Sequence, residues 1–300
     1  MNIVVALFPL VALIAMGHVL KRTQFVKDEF WANSEKLNYF IMFPVLLFLN
    51  VSAVQLDMQT VSRMLTVLVL GTLIASAVLW GIKQFTHIPV QRFGVYVQSN
   101  IRFNTYIGLS LMGALFGSEG MQMFAMLIAV AVPLVNIISV LSFSNISVKQ
   151  LGQTCISIAK NPLILGCVVS VLFNLSGLTL FNGLTELLKI LAGMSLPLGL
   201  LSVGAALQFQ QMRADVRRLS LNTIGRLVLM PSLAYVISSC LGLTDFERII
   251  LVVFFALPTA SSSYILTRYY QGDAQLMATI ISVQTIGFGL IFPVLMLIVH

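Results

Sequence analysis

Apolar runs of about 20 residues recur along the whole chain, and this recurrence leaves few folds open. Crossing about 30 Å of hydrocarbon takes about 20 helical residues. Ten such runs are legible, at 2 to 20, 35 to 54, 64 to 85, 93 to 116, 120 to 143, 162 to 180, 184 to 207, 219 to 241, 247 to 270 and 275 to 299. They are apolar on every side and rich in Leu, Ile, Val, Ala and Met, without the two-residue alternation of membrane β-strands. The expected fold is all-α and integral to the membrane, with ten transmembrane helices. Charged residues make up only 9% of the 300, too few to coat a water-soluble globule of this size, and the runs leave no space for a soluble domain.

Orientation follows from the basic residues, because short loops rich in Lys and Arg stay cytoplasmic. The odd-numbered connections hold Lys21, Arg22, Lys27, Lys36, Lys83, Arg92, Lys149, Lys160, Arg213, Arg217, Arg218 and Arg268, whereas the even-numbered ones hold only Arg63, Lys189 and Arg248. Odd connections are therefore expected inside and both termini outside. The net charge of +7 has the same origin and signals topology rather than nucleic-acid binding. The first run has no basic residue ahead of it and Lys21-Arg22 behind it, the reverse of a secretory signal peptide, so it is expected to remain as a span. Cys155, Cys167 and Cys240 are isolated, as are His18, His87 and His300, and neither HExxH nor GxSxG occurs. No metal, cofactor or enzymatic role is expected.

Two runs are interrupted. Val95 to Phe116 carries Asn100, Arg102, Asn104, Thr105 and Gly108 in its middle, and Ile249 to Tyr270 carries Pro258, Thr259, Ser261, Ser262 and Ser263. Proline removes an amide donor, and Gly, Asn and Ser loosen a helix, so these segments are expected to break. The breaks lie at matching places in two similar halves. Pro9 aligns with Pro162 and Pro44 with Pro197 at one offset, and Arg92 with Arg248 at nearly the same. Five crossings per half, an odd number, invert the second half relative to the first. The expected organisation is a first five-helix repeat at 1–145, a cytoplasmic connection at 146–160 and a second, inverted five-helix repeat at 161–300. The broken fourth and ninth helices should cross near the bilayer midplane, where such pairs form the substrate site of many secondary carriers.

Six stretches carry a family resemblance: LNYFIMFPVLLF at 37–48, NTYIGLSL at 104–111, NPLILG at 161–166, SLPLGLLSVGAAL at 195–207, RLVLMP at 226–231 and ALPTASSSYILTRYYQGD at 256–273. In order and spacing they resemble the auxin efflux carrier family, which includes plant auxin exporters and bacterial permeases for malate and similar organic anions. The resemblance implies two inverted five-helix repeats, a scaffold of helices 1, 2, 6 and 7, a moving unit of helices 3–5 and 8–10, and homodimers. It also implies a bacterial inner membrane location. Members carry prolines where this chain has Phe103 and Ser110, so the first break is expected to depend on Arg102, Asn104 and Gly108.

Charge inside the membrane narrows the substrate. A charge at mid-span costs about 2.5–3.5 kcal/mol on insertion scales. Arg102 either attracts a carboxylate that Asn104 and Thr105 orient, caps the carbonyl ends of the broken helix, or lines a cytoplasm-facing vestibule. Arg226 either snorkels to the cytoplasmic side or serves the site. Asn50, Ser52, Ser202, Asn136, Gln284 and Thr285 either line the site or seal helix interfaces. All ten acidic residues fall in connections or first turns of spans, which places no carboxylate at mid-membrane to take up a proton or hold sodium. The expected function is a permease moving a small mono- or dicarboxylate, driven by membrane potential through an elevator-like movement. The alternatives are a sodium- or proton-coupled symporter of bile-acid-carrier type and a membrane ligand sensor that does not transport.

Overall fold

The computed structural model describes residues 3–54, 58–143, 152, 156, 160–208 and 216–299, and the regular structure among them is all helical. Gln55, Asp57, Lys149, Cys155, Arg213, Asp215, His300 and most of the expected connection 146–160 lie outside the described residues. The helices are α1 (Ile3–Arg22), α2 (Asp28–Leu37), α3 (Phe43–Ser52), α4 (Met58–Phe85), α5 (Val90–Ile101), α6 (Thr105–Phe143), α7 (Pro162–Ser176), α8 (Asn182–Ala205), α9 (Val216–Ile224), α10 (Met230–Cys240), α11 (Asp245–Ala256), α12 (Ser262–Tyr269) and α13 (Ala274–Val299).

Six stretches are long and apolar enough to cross a membrane: Val5–Arg22, Met58–Phe85, Val90–Phe143, Asn182–Ala205, Val216–Cys240 and Ala274–Leu297. The chain is thus an all-helical, multi-pass membrane protein. The 54 residues of Val90–Phe143 would reach about 80 Å as one helix, far beyond a bilayer. They break after Ile101 and reverse at Gly117, whose φ of 62° and ψ of −148° suit glycine alone. The sixth run is shorter than the sequence suggests. α7 stops at Ser176, where the Gly177 N–H turns back to the Asn174 carbonyl (3.3 Å).

Proline shapes two helices in the same way. α2 and α3 are joined by a π turn at Asn38–Met42, in which the Phe43 N–H reaches the Asn38 carbonyl five residues back, just before Pro44. α9 and α10 are joined by a second π turn at Gly225–Leu229, in which the Met230 N–H reaches the Gly225 carbonyl, just before Pro231. A proline ring clashes with the carbonyl four residues back and donates no hydrogen bond to it. The wider turn accommodates both effects.

The chain forms two compact units, and each draws on both halves of the sequence. One comprises Met1–Gln55, Leu109–Val132 and Cys155–Ala206. Here α1 packs on α8, and α3 packs on α7 and α8. Buried Asn38 and Ser195 clamp one another: Asn38 Nδ2 donates to the Ser195 carbonyl (3.0 Å) and Ser195 Oγ donates to Asn38 Oδ1 (2.7 Å). α1 and α8 run in the same direction, since Ala6–Leu13 and Ala192–Leu200 border one cavity of about 410 Å³ while Ile14–His18 meets Leu201–Gly204 beyond it. Ser110, where the resemblance implied proline, also lines that cavity.

The other unit comprises Leu56–Gly108, Pro133–Thr154 and Leu207–His300. α11 is its central helix. Ile249 through Ala256 are all buried, and an element apolar all round needs such an enclosure. α5 presents Phe93, Val97 and Ile101, one helical stripe, to Val135 and Ile138 of α6, and turns Val95 toward Leu219, Met277 and Ile281. At one edge Arg92 Nε donates to Asp273 Oδ2 (3.1 Å), and elsewhere Arg63 Nη1 donates to the Gly242 carbonyl (3.3 Å). Both contacts link the first half of the sequence to the second.

The α1–α8 crossing depends on two glycines. A Cβ on Gly17 would lie 2.0 Å from the Leu201 carbonyl oxygen, and one on Gly204 would lie 1.8 Å from that of Ile14. Helix backbones meet this closely only where side chains are absent. Gly204→Leu should therefore lower the thermal unfolding midpoint in detergent, by about 1–3 kcal/mol or more of overpacking cost. Gly193→Ala on the same helix, with nothing within 4 Å of its added carbon, should leave it unchanged.

Candidate functional site

Both interrupted segments leave the helical conformation inside the second unit. α5 ends at Ile101, Arg102 is extended (φ −78°, ψ 148°), and α6 begins at Thr105. α11 ends at Ala256, Leu257 is extended (φ −58°, ψ 143°) ahead of Pro258, and α12 begins at Ser262. The two breaks touch. The Asn104 N–H donates to the Pro258 carbonyl (2.8 Å), and the Phe103 and Phe254 rings pack at a tilt of 47° with centroids 4.3 Å apart.

The second break follows from proline, which forces the residue before it into extended backbone. The first needs no proline. Asn104 Oδ1 accepts the Ile107 N–H (3.1 Å), the bond of a helix N-cap, so the sequence restarts a helix at Thr105. Gly108 plays no part in the break. It lies within α6, and its N–H bonds to the Asn104 carbonyl (3.0 Å). The expectation that it loosens the segment is corrected on that ground.

A helix end leaves carbonyls without partners, and here two ends are buried together. Side chains from α13 and the π turn after α9 take them up. Gln284 Nε2 donates to the Ser99 carbonyl (3.2 Å) and to Asn222 Oδ1 (3.0 Å), while its Oε1 accepts the Thr259 N–H (3.0 Å). Asn222 Nδ2 donates to Ser99 Oγ (2.9 Å). Gln98 Nε2 reaches Thr267 Oγ1 (3.0 Å), and Thr259 Oγ1 donates to the Gln98 carbonyl (3.4 Å). Arg226 Nε donates to the Leu257 carbonyl and its Nη1 to the Asn100 carbonyl, both at 2.6 Å. Arg226 is only 1% exposed. It does not snorkel, because the π turn holds it against the crossing, where carbonyls replace the water its head would otherwise seek.

The residues singled out from the sequence separate into two groups. Asn100, Asn104, Pro258, Thr259 and Ser263 are buried and hold the crossing together, with Asn100 Nδ2 on the Tyr96 carbonyl (2.9 Å) and Thr259 Oγ1 3.4 Å from Ser263 Oγ. Arg102, Thr105 and Ser262 remain accessible, and Ser261 is partly exposed although its hydroxyl oxygen is buried. Arg102 Nη1 donates to Asn136 Oδ1 (2.7 Å) and its Nη2 to Ser262 Oγ (3.1 Å). These two bonds orient the guanidinium at the first break. The Ser261 hydroxyl has no hydrogen-bond partner among the described residues. Asn50 and Thr285 bond back to their own helices, at Leu46 and Ile281. Asn222 and Ser99 escaped the sequence reading. The available signal was Asn222 and Arg226 four residues apart, which places two polar groups on one face of an apolar span.

Residues 144–296 match the family model described as membrane transport protein. The chain belongs to that family, the auxin efflux carriers. The matched region includes four of the six recognised stretches, at 161–166, 195–207, 226–231 and 256–273, while those at 37–48 and 104–111 lie outside it. No curated protein matches the chain. In this auxin efflux carrier relative the second break, the Arg226 turn and Gln284 all fall within the matched half, so the side chains that cap the crossing belong to the family region.

The capping network gives a direct test. Gln284→Leu removes three hydrogen bonds at once, and each buried group left unpaired costs about 1–3 kcal/mol. Thermal unfolding of the purified protein should show a clearly lower midpoint for Gln284→Leu. Thr285→Val, which loses one bond to its own helix, should shift it far less.

Proposed function

We propose that this membrane transporter is a secondary carrier for a small organic anion, a mono- or dicarboxylate, recognised beside the crossing of its two broken helices. The observation that carries the reading is Arg102, a half-buried guanidinium oriented by Asn136 and Ser262 beside the crossing, with Thr105 of the same break partly exposed. A guanidinium can take a carboxylate through two parallel hydrogen bonds. Neutral hydroxyls can orient the bound anion without adding charge, and so allow its release.

The transport cycle in this reading is elevator-like and uncoupled. The helices implied for the scaffold, the first, second, sixth and seventh crossings, fall in one compact unit together with Leu109–Val132, and the crossing of the broken helices falls in the other. The contacts Arg92–Asp273 and Arg63–Gly242, each linking the first half of the sequence to the second, support ten crossings in two inverted repeats, 1–145 and 161–300. Among the described residues no group of acidic, His or Cys side chains suits a metal ion. An inside-negative potential supplies about 2.3 kcal/mol per charge per 100 mV and favours export of an anion. A homodimer in a bacterial inner membrane, with both termini outside, completes the reading.

The test is charge movement in proteoliposomes on a solid-supported membrane, challenged with a panel of carboxylates in sodium and in choline. The expected result is a current for one anion class, equal in both salts. Arg102→Ala should remain folded and lose at least nine-tenths of it. A current seen only with sodium would select the symporter, and carboxylate binding without flux of a labelled ligand would select the sensor.

A further inference from the structure

Two helices end against each other at the crossing, each with its carbonyl end pointing into buried protein. A helix C-terminus carries about half an elementary negative charge, so two converging ends present about one negative charge. In carriers built on broken helices such ends, with unwound carbonyls, are where coupling cations bind. The Arg226 guanidinium bridges these two ends in this chain, one nitrogen on the Asn100 carbonyl at the end of α5 and another on the Leu257 carbonyl at the end of α11, both at 2.6 Å. It is 1% exposed, and among the described residues no carboxylate pairs with it. Its Nε and Nη1 face the two helix ends, while its Nη2 has no hydrogen-bond partner among the described residues.

We propose that Arg226 is a tethered cation: its guanidinium occupies the position that a free ion would need between the two helix ends, so the crossing assembles without any ion from solution. The Gly225–Leu229 π turn is the device that aims it there. This deepens the uncoupled-transport reading by naming the group that makes coupling unnecessary. Arg226 is a positioning residue, holding the two breaks in register beside Arg102 without touching the substrate.

The deciding experiment needs no substrate, so it stands apart from the test of transport. Thermal unfolding of purified Arg226→Ala is measured in choline, sodium and guanidinium chloride at equal, non-denaturing concentration. The expected result is a midpoint several degrees below that of the native protein in choline, recovered in large part by sodium or guanidinium, with the native protein indifferent to all three. A variant as stable as the native protein in choline, or one that neither ion restores, would overturn the proposal. Should the alanine variant not be recovered folded, Arg226→Lys and Arg226→Gln decide it. Lysine keeps the charge and should stay close to native in choline. Glutamine keeps a donor but no charge and should be destabilised until sodium is added. Equal stability of these two in choline would reduce Arg226 to a hydrogen-bond donor and sink the idea.

Discussion

Breaking a helix in the middle of a bilayer strips its carbonyls of partners in a place where water cannot supply them. Doing so twice, with the ends converging, adds the repulsion of two like dipole ends. The second unit is organised around relieving that arrangement. Gln284, Asn222 and Arg226 have no polar surface to serve, since all are buried. They come from helices that flank the breaks and bond across to backbone atoms far away in sequence. The crossing is thus held by its neighbours more than by the broken segments themselves.

The first unit is held by a different kind of force. α1 and α8 approach until glycine is the only residue that fits at Gly17 and Gly204, and dispersion between close backbones takes the place that directed hydrogen bonds fill at the crossing. One polar pair, Asn38 with Ser195, fixes the register. Close packing of this sort tolerates little deformation, whereas a polar network can exchange partners.

Much of this was legible in the residues. Run length and composition specified an all-helical membrane protein, because a 20-residue apolar helix has no other stable setting. Pro258 announced its break through covalent geometry. The first break is visible as a polar cluster in which Asn104 caps the restarted helix, while Gly108, expected to share in it, lies inside α6, since a glycine within a helix costs little once neighbours pack around it. Arg226 was hardest. Its depth in the span was readable, yet the direction of a side chain depends on helix phase, and the π turn that sets the phase has no sequence signature beyond a proline five residues later. The end of α7 was overrun for a simpler reason, as hydropathy stays high past the point where Gly177 ends the helix.

The π turn before Pro231 also acts as a frame shift within a helix. It holds one residue more than a regular turn, so the segments on either side are out of phase by about 100°. α9 therefore faces α13 and α5 while α10, one turn later, faces α11 and α4. A single crossing thereby belongs to two different interfaces. The loss of one residue anywhere in Gly225–Leu229 would restore a continuous α-helix and force a choice between those interfaces, so the length of this stretch is constrained independently of its residues.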